Sequence, residues 1–183
     1  MAGKNECERQ QTLSAWKRQL RREILAKRDA LSETEQAEAE IAIAKKILMH
    51  SWYREAEIVL GFASYGSEIR TDKILQETLQ AGKQLYLPKI IGDEMMFFQV
   101  KAMIELQAGY KGIREPQGVS EQFVYAPSMR KALDEPPSEQ PLVLMLMPGV
   151  AFDMAQGRMG YGKGFYDRFL ADKPQLVART IGI

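Results

Sequence analysis

LVLMLMPGVAFDMAQGRMGYGKGFYDRFL, Leu142 to Leu170, holds the pattern that decides the fold. Leu142 to Met147 is an unbroken apolar run of strand length, as expected of a strand buried on both faces. Glycine then recurs every second or third residue, from Gly157 through Gly160 and Gly162 to Gly164, with Arg158 and Lys163 set among them. Phe165-Tyr166-Asp167-Arg168 opens a helix predicted from about Lys163 to Ala171. Glycines let the backbone reach φ > 0 and approach a ligand closely. A helix N-terminus with free N–H groups favours an anion. Strand, Gly/Lys loop and helix together read as a phosphate-binding loop. It is not the common P-loop, because Lys163 is followed by Gly164 where GxxxxGK[ST] needs Ser or Thr.

Outward from that loop, the chain alternates helices and strands. Ser14 is read as the cap of a helix to about Ala30, with Ala15, Trp16, Leu20, Ile24 and Leu25 at helical spacing. Ser32-Glu33-Thr34-Glu35 is a capping-box pattern, predicting a helix to about Met49 with Ala37, Ile41, Ala44 and Leu48 on one side. Glu57 to Ala63 reads as a strand, 64–70 as a loop, and Thr71 as the cap of a helix over Asp72 to Ala81 that Gly82 stops. Gln84 to Leu87 is a short strand ended by Pro88, and Met95 to Val100 is another, in a hairpin turning near Gly92-Asp93. Ile113 to Pro116 reads as loop, 128–141 as an exposed excursion, and a last strand starts at Leu176. This order predicts a single α/β domain with three layers, a mostly parallel central sheet flanked by helices, over 14–183. Residues 1–13 are read as a loose polar N-terminus. The sequence ends at Ile183 inside the apolar run LVARTIGI, which creates the expectation of a missing C-terminal segment.

Composition excludes several chemistries. The 183 residues carry 25 Lys+Arg against 24 Asp+Glu, a net charge of +1 that gives no reason to expect nucleic acid or a membrane surface. The single cysteine, Cys7, rules out an internal disulfide framework or a Cys-rich zinc site. With no signal peptide and no long apolar span, a cytoplasmic protein is expected. The single histidine, His50, falls near a predicted helix end, and no GxSxG elbow is present. Carboxylates, lysine, arginine, backbone groups and a divalent cation remain as the chemical equipment.

The PGVAFD…GRMGYGKGFYDR stretch resembles the signature of the 5-formyltetrahydrofolate cyclo-ligase (5,10-methenyltetrahydrofolate synthetase) family. Lys17-Arg18-Gln19-Leu20-Arg21 resembles its N-terminal basic K-x-x-L-R element, and Ser67-Glu68-Ile69-Arg70-Thr71 its acidic E-[IV]-x-T element. Gly82-Lys83, Leu87-Pro88 and Ile113-Arg114-Glu115-Pro116 follow in the expected order, so the resemblance spans about 14–183. It implies a ligase that turns 5-formyltetrahydrofolate and MgATP into 5,10-methenyltetrahydrofolate, ADP and phosphate. Both nucleophiles, the formyl oxygen and N10, belong to the substrate, so the protein needs to align groups and stabilise phosphoryl charge.

On that resemblance Lys163 contacts the γ-phosphate, a solvated lysine being the alternative. Arg158 either grips phosphate or holds the loop. The ATP element comprises Lys17, Arg18, Gln19, Leu20 and Arg21 with Arg158, Met159, Gly160, Tyr161, Gly162, Lys163, Gly164, Phe165 and Tyr166. The folate side comprises Ala63, Glu68, Tyr161, Gly162, Lys163, Gly164 and Phe165, with Glu68 facing the amino-bearing edge of the pterin. Asp167 resembles the magnesium aspartate, its alternatives being a helix-supporting acid or an ion pair with Arg168 or Arg158. Asp153 is a turn-former or a further cation ligand. Family chains continue past a strand like VARTIGI into a segment with another acidic residue, which this sequence lacks. The expected partners are 5-formyltetrahydrofolate and ATP, and the expected state is a monomer, with a dimer as the alternative. The rival readings are a sugar-phosphate isomerase-like enzyme and a catalytically silent nucleotide- or folate-binding protein.

Overall fold

The computed structural model describes residues 2–117, 120–125 and 141–183, with backbone alone for 2–11. The excursion expected at 128–141 therefore falls, but for its last residue, outside the described residues. In chain order the helices are α1 (Ala2–Asp29), α2 (Glu33–Met49), α3 (Ser51–Glu55), α4 (Asp72–Gln80), α5 (Phe165–Leu170) and α6 (Pro174–Ala178). The strands are β1 (Ile58–Leu60), β2 (Gln84–Ile91), β3 (Glu94–Val100), β4 (Leu106–Ala108), β5 (Arg114–Pro116), β6 (Val143–Met147), β7 (Ala151–Phe152), β8 (Arg158–Met159) and β9 (Thr180–Gly182).

Five strands form one sheet in the order β3-β2-β1-β6-β9. β1 runs parallel to β2 and β6, and β6 parallel to β9, while β3 returns antiparallel along β2. Alternation along each strand sends side chains to opposite faces. Val59, Leu85, Leu87, Leu144 and Leu146 meet Ala44 and Ile47 of α2 and Ile74 and Leu75 of α4 on one face. Ile58, Leu60, Tyr86, Val143 and Met145 meet Leu176 of α6 and the α5 residues Phe165, Tyr166, Phe169 and Leu170 on the other. The expected layers, helices on both sides of a mostly parallel sheet, are thus present. Leu60, Leu144, Met145 and Leu146 are wholly buried, each worth about 1.5–3 kcal/mol in hydrophobic transfer.

Several expectations are corrected. The first helix starts at Ala2, well before Ser14. Ser14 Oγ there accepts from Arg18 Nη1 at 3.0 Å and is no cap. The α2 capping box is present on Ser32 and Glu35. Yet Ile41 is 67% exposed, and the buried stripe passes through Ala44 and Ile47 instead. β1 is shorter than Glu57 to Ala63, because β2 and β6 pair with it only over Ile58–Leu60.

β2 continues through Pro88 to Ile91. Gly61 N–H donates to Tyr86 O, so Tyr86 and, two residues on, Pro88 turn their backbone groups toward the β1 side. β1 pairs no further than Tyr86, and the missing N–H of Pro88 costs no ladder bond. Arg114–Pro116, expected as loop, pairs with β4 as a small hairpin. Thr71 precedes α4 but makes no side-chain cap. Its hydroxyl, fully buried, instead donates to Phe62 O at 2.7 Å and accepts from Ser64 N–H at 3.2 Å, closing the 62–71 loop on itself. The strand expected from Leu176 is α6 followed by β9, which starts at Thr180. His50 ends α2 and caps α3, its Nδ1 accepting from Trp52 N–H at 3.1 Å.

Candidate active site

β1 and β6 are parallel neighbours, so their C-terminal ends open on the same sheet edge. The loop after β1 carries Glu68 and the loop after β6 carries the glycines and Lys163, at the edge where open α/β sheets hold ligands. The second loop folds back as the β7–β8 ribbon, with Ala151 opposite Met159 and Phe152 opposite Arg158. Asp153 makes its turn: Oδ1 accepts from Ala155 N–H at 2.9 Å and Gly157 N–H at 2.7 Å, the turn-forming alternative. Gly162 and Gly164 sit at φ 97° and 69°. Gly164 is the N-cap of α5 in the left-handed conformation, so α5 starts at Phe165 and not at Lys163.

Arg158 is nearly enclosed. Nη1 donates to Pro148 O at 2.9 Å, Nη2 pairs with Asp167 Oδ1 at 2.8 Å, and the guanidinium lies 5.5 Å from the Tyr166 ring centroid. These contacts tie the start of the loop to its exit, which is the loop-holding alternative. Lys163 is exposed, and its carbonyl accepts from Arg168 Nη1 at 2.9 Å. Among the described residues no carboxylate pairs with its ammonium, which leaves a compact point charge for an anion.

The basic helix arrives from the other end of the chain. Arg21 Nε donates to Gly160 O at 2.7 Å, across 139 residues of sequence. A Cβ on Gly162 would sit 3.5 Å from the Arg21 guanidinium carbon. Of the Lys17–Arg21 element only Arg21 touches the loop this way. Leu20 is half-buried, while Lys17, Arg18 and Gln19 lie exposed, Gln19 bonded to Glu23 at 2.7 Å within the helix.

On the side that the resemblance assigns to folate, Glu68 Oε2 accepts from Tyr65 N–H at 2.8 Å, and Oε1 from Tyr161 OH at 2.5 Å. Tyr161 in turn accepts from Arg28 Nη2 at 3.0 Å. Burial, helped by the bond to Glu68, pushes the Tyr161 phenol up to about 12, with Arg28 opposing. Burial also drives the Tyr166 phenol far above its ordinary value; Glu68 adds to this and Arg158 opposes it. Phe165 is half-buried, edge-on to Tyr110 at 6.1 Å. Ala63 is buried within the loop that Thr71 closes. Sequence reasoning missed Arg28. Its identity gave no signal among so many cations, and its contact with residue 161 exists only in the folded chain.

For magnesium the described residues offer limited material. Asp167, 75% exposed, has Oδ1 engaged by Arg158, and no group of three or more His, Cys, Asp or Glu residues able to hold a metal occurs among the described residues. One carboxylate fits a magnesium ion carried in by phosphate oxygens and water, and does not make a protein cage.

Comparison with known proteins gives the following likenesses. A sequence profile described as the 5-formyltetrahydrofolate cyclo-ligase family matches residues 13–182. A Caenorhabditis elegans protein named "Probable 5-formyltetrahydrofolate cyclo-ligase" is 30% identical over 175 residues, covering 91% of this chain and 78% of the relative. The 5-formyltetrahydrofolate cyclo-ligase of Mus musculus is 26% identical over 163 residues, covering 87% and 75%. The NMR structure of Aquifex aeolicus 5,10-methenyltetrahydrofolate synthetase superposes with a TM-score of 0.71 at 28% identity, covering 91% of this chain and 76% of that one.

Proposed function

The chain belongs to the 5-formyltetrahydrofolate cyclo-ligase family, and from that membership we propose that it closes 5-formyltetrahydrofolate to 5,10-methenyltetrahydrofolate at the expense of ATP. The formyl oxygen attacks the γ-phosphorus, the bond to the β-bridging oxygen breaks, and ADP leaves. N10 then adds to the activated formyl carbon and loses its proton. The carbon–oxygen bond breaks, and phosphate carries the oxygen away.

The observation that carries this reading is the Arg21–Gly160 bond. It supports a cationic cleft built from both ends of the chain, beside the carboxylate of Glu68. Lys163 and the loop N–H groups stabilise charge spreading over the transferred phosphoryl group, while Arg158 keeps the loop in shape. Glu68 receives the donor edge of the pterin. Among the described residues Asp167 would be the carboxylate to help hold a magnesium ion brought in with the triphosphate, and such an ion would neutralise phosphate charge. The same reading carries a cytoplasmic location and a monomeric enzyme.

The test is absorbance in the methenyl-folate band, with 5-formyltetrahydrofolate, Mg²⁺ and ATP at neutral pH. ATP-dependent growth that Lys163→Ala cuts by about 10²-fold or more is expected, from the loss of one preorganised charge contact. Growth without ATP, or at an undiminished rate in Lys163→Ala, overturns the assigned chemistry.

A further inference from the structure

Arg28 lies near the C-terminal end of α1, two turns beyond Arg21. Its guanidinium reaches two different loops. Nε donates to Ser67 Oγ at 3.0 Å, next to Glu68 in the chain, and Nη2 donates to Tyr161 OH at 3.0 Å in the Gly/Lys loop. The guanidinium carbon is 5.9 Å from the Tyr161 ring centroid. Ser67 Oγ donates to Asp29 Oδ1, so the hydroxyl is oriented to accept from Arg28. Tyr161 OH likewise donates to Glu68 Oε1 and accepts from Arg28. The array has two ends: the Ser67 branch closes on Asp29, and the Tyr161 branch closes on Glu68.

We propose that Arg28 is a positioning residue for folate, acting through Ser67 and Tyr161 to fix the direction of the Glu68 carboxylate. This rests on the folate reading of Glu68 given above. A carboxylate has about four lone-pair sites. Tyr65 N–H and Tyr161 OH occupy one on each oxygen of Glu68. The two left over, one on each oxygen, suit a ligand edge with two parallel N–H donors. Rotation of the carboxylate would spoil that match, and the Tyr161 hydroxyl resists it. Arg28 holds the hydroxyl in place and, through Ser67, the segment from which Glu68 projects. A planar guanidinium bridges the two loops with fixed geometry, which an ammonium does not do.

The experiment measures equilibrium binding of 5-formyltetrahydrofolate without ATP, and separately the KM values for folate and ATP, in the full chain. The variants are Arg28→Ala, Arg28→Lys, Tyr161→Phe and the double variant Arg28→Ala/Tyr161→Phe. Arg28→Ala and Tyr161→Phe are each expected to weaken folate binding roughly tenfold, the scale of one charge-assisted hydrogen bond. In Arg28→Ala the KM for ATP is expected to stay within about twofold, and Arg28→Lys to recover only part of the loss in folate binding. The double variant is expected to weaken binding less than the product of the single effects, because the residues act in series. Unchanged folate binding in both single variants, or effects that multiply, overturns the proposal. Should Arg28→Ala fail to fold, unchanged folate binding in Tyr161→Phe overturns it alone. If the unmodified protein binds no folate, the functional reading falls and this one with it; loss confined to the variants separates the two.

Discussion

A phenol drawn out of water and bonded to a carboxylate holds its proton late, even with a guanidinium opposing. Tyr161, raised to about 12, is bound more tightly to its proton in the folded chain than in the unfolded one, where it titrates near the ordinary value of about 10. The stability this gives is complete below pH ~10 and is lost as pH rises through the folded value of about 12. Unfolding midpoints followed upward through that window are expected to fall less steeply in Tyr161→Phe; superimposable pH profiles would contradict the burial of this hydroxyl beside Glu68. At this scale the sequence was unevenly legible. Gly162 and Gly164 announce themselves by spacing alone, because positive φ is a local requirement. Arg158 left two readings open, since only folding brings Pro148 O and Asp167 to opposite ends of its guanidinium. Arg28 was silent because its meaning lies entirely in distant partners.

Elements were legible where local rules act unopposed. The Ser32–Glu35 capping box and the buried LVLMLM strand follow from neighbours in sequence. Pro88 misled because its cost depends on a neighbouring strand that has already ended. Thr71 misled because its hydroxyl found a better acceptor than the helix, namely Phe62 O. Replacing Thr71 by Val keeps the shape and leaves the carbonyl of Phe62 without this donor, at an expected cost of about 1–3 kcal/mol in urea unfolding. Thr71→Ser, which keeps the hydroxyl and loses the methyl, should cost much less; a larger loss in Thr71→Ser than in Thr71→Val would assign the effect to packing of the methyl group. Gly164 is the corresponding case at the start of α5, where φ is 69°. Gly164→Ala is expected to cost about 1–2 kcal/mol, because a Cβ is strained in left-handed backbone. Stability unchanged by this substitution would show that the loop reaches α5 by another path.

At the scale of the whole molecule, alternating helices and strands were enough to predict the layers, because a parallel sheet needs covering on both faces. The placement of the first helix was not readable, since α1 shares few apolar positions with the sheet and Trp16 is 55% exposed. What secures it is polar: Arg21 on Gly160 O, and Arg28 on Ser67 and Tyr161. Arg21→Met is therefore expected to speed proteolytic cleavage within α1 several-fold while leaving the urea midpoint of the sheet nearly unchanged, as a local opening would. A matched shift in both would make α1 part of the global unfolding unit. The sheet order has a consequence in time. Glu57 and Leu142, 85 residues apart, are joined where β1 begins to meet β6. During synthesis β1 must wait for that partner, roughly 4–17 seconds at ribosomal rates of about 5–20 residues per second. Throughout that wait the most apolar strand of the early chain has a raw edge, so the nascent polypeptide is at its most aggregation-prone, and most in need of a chaperone, just before β6 emerges from the ribosome.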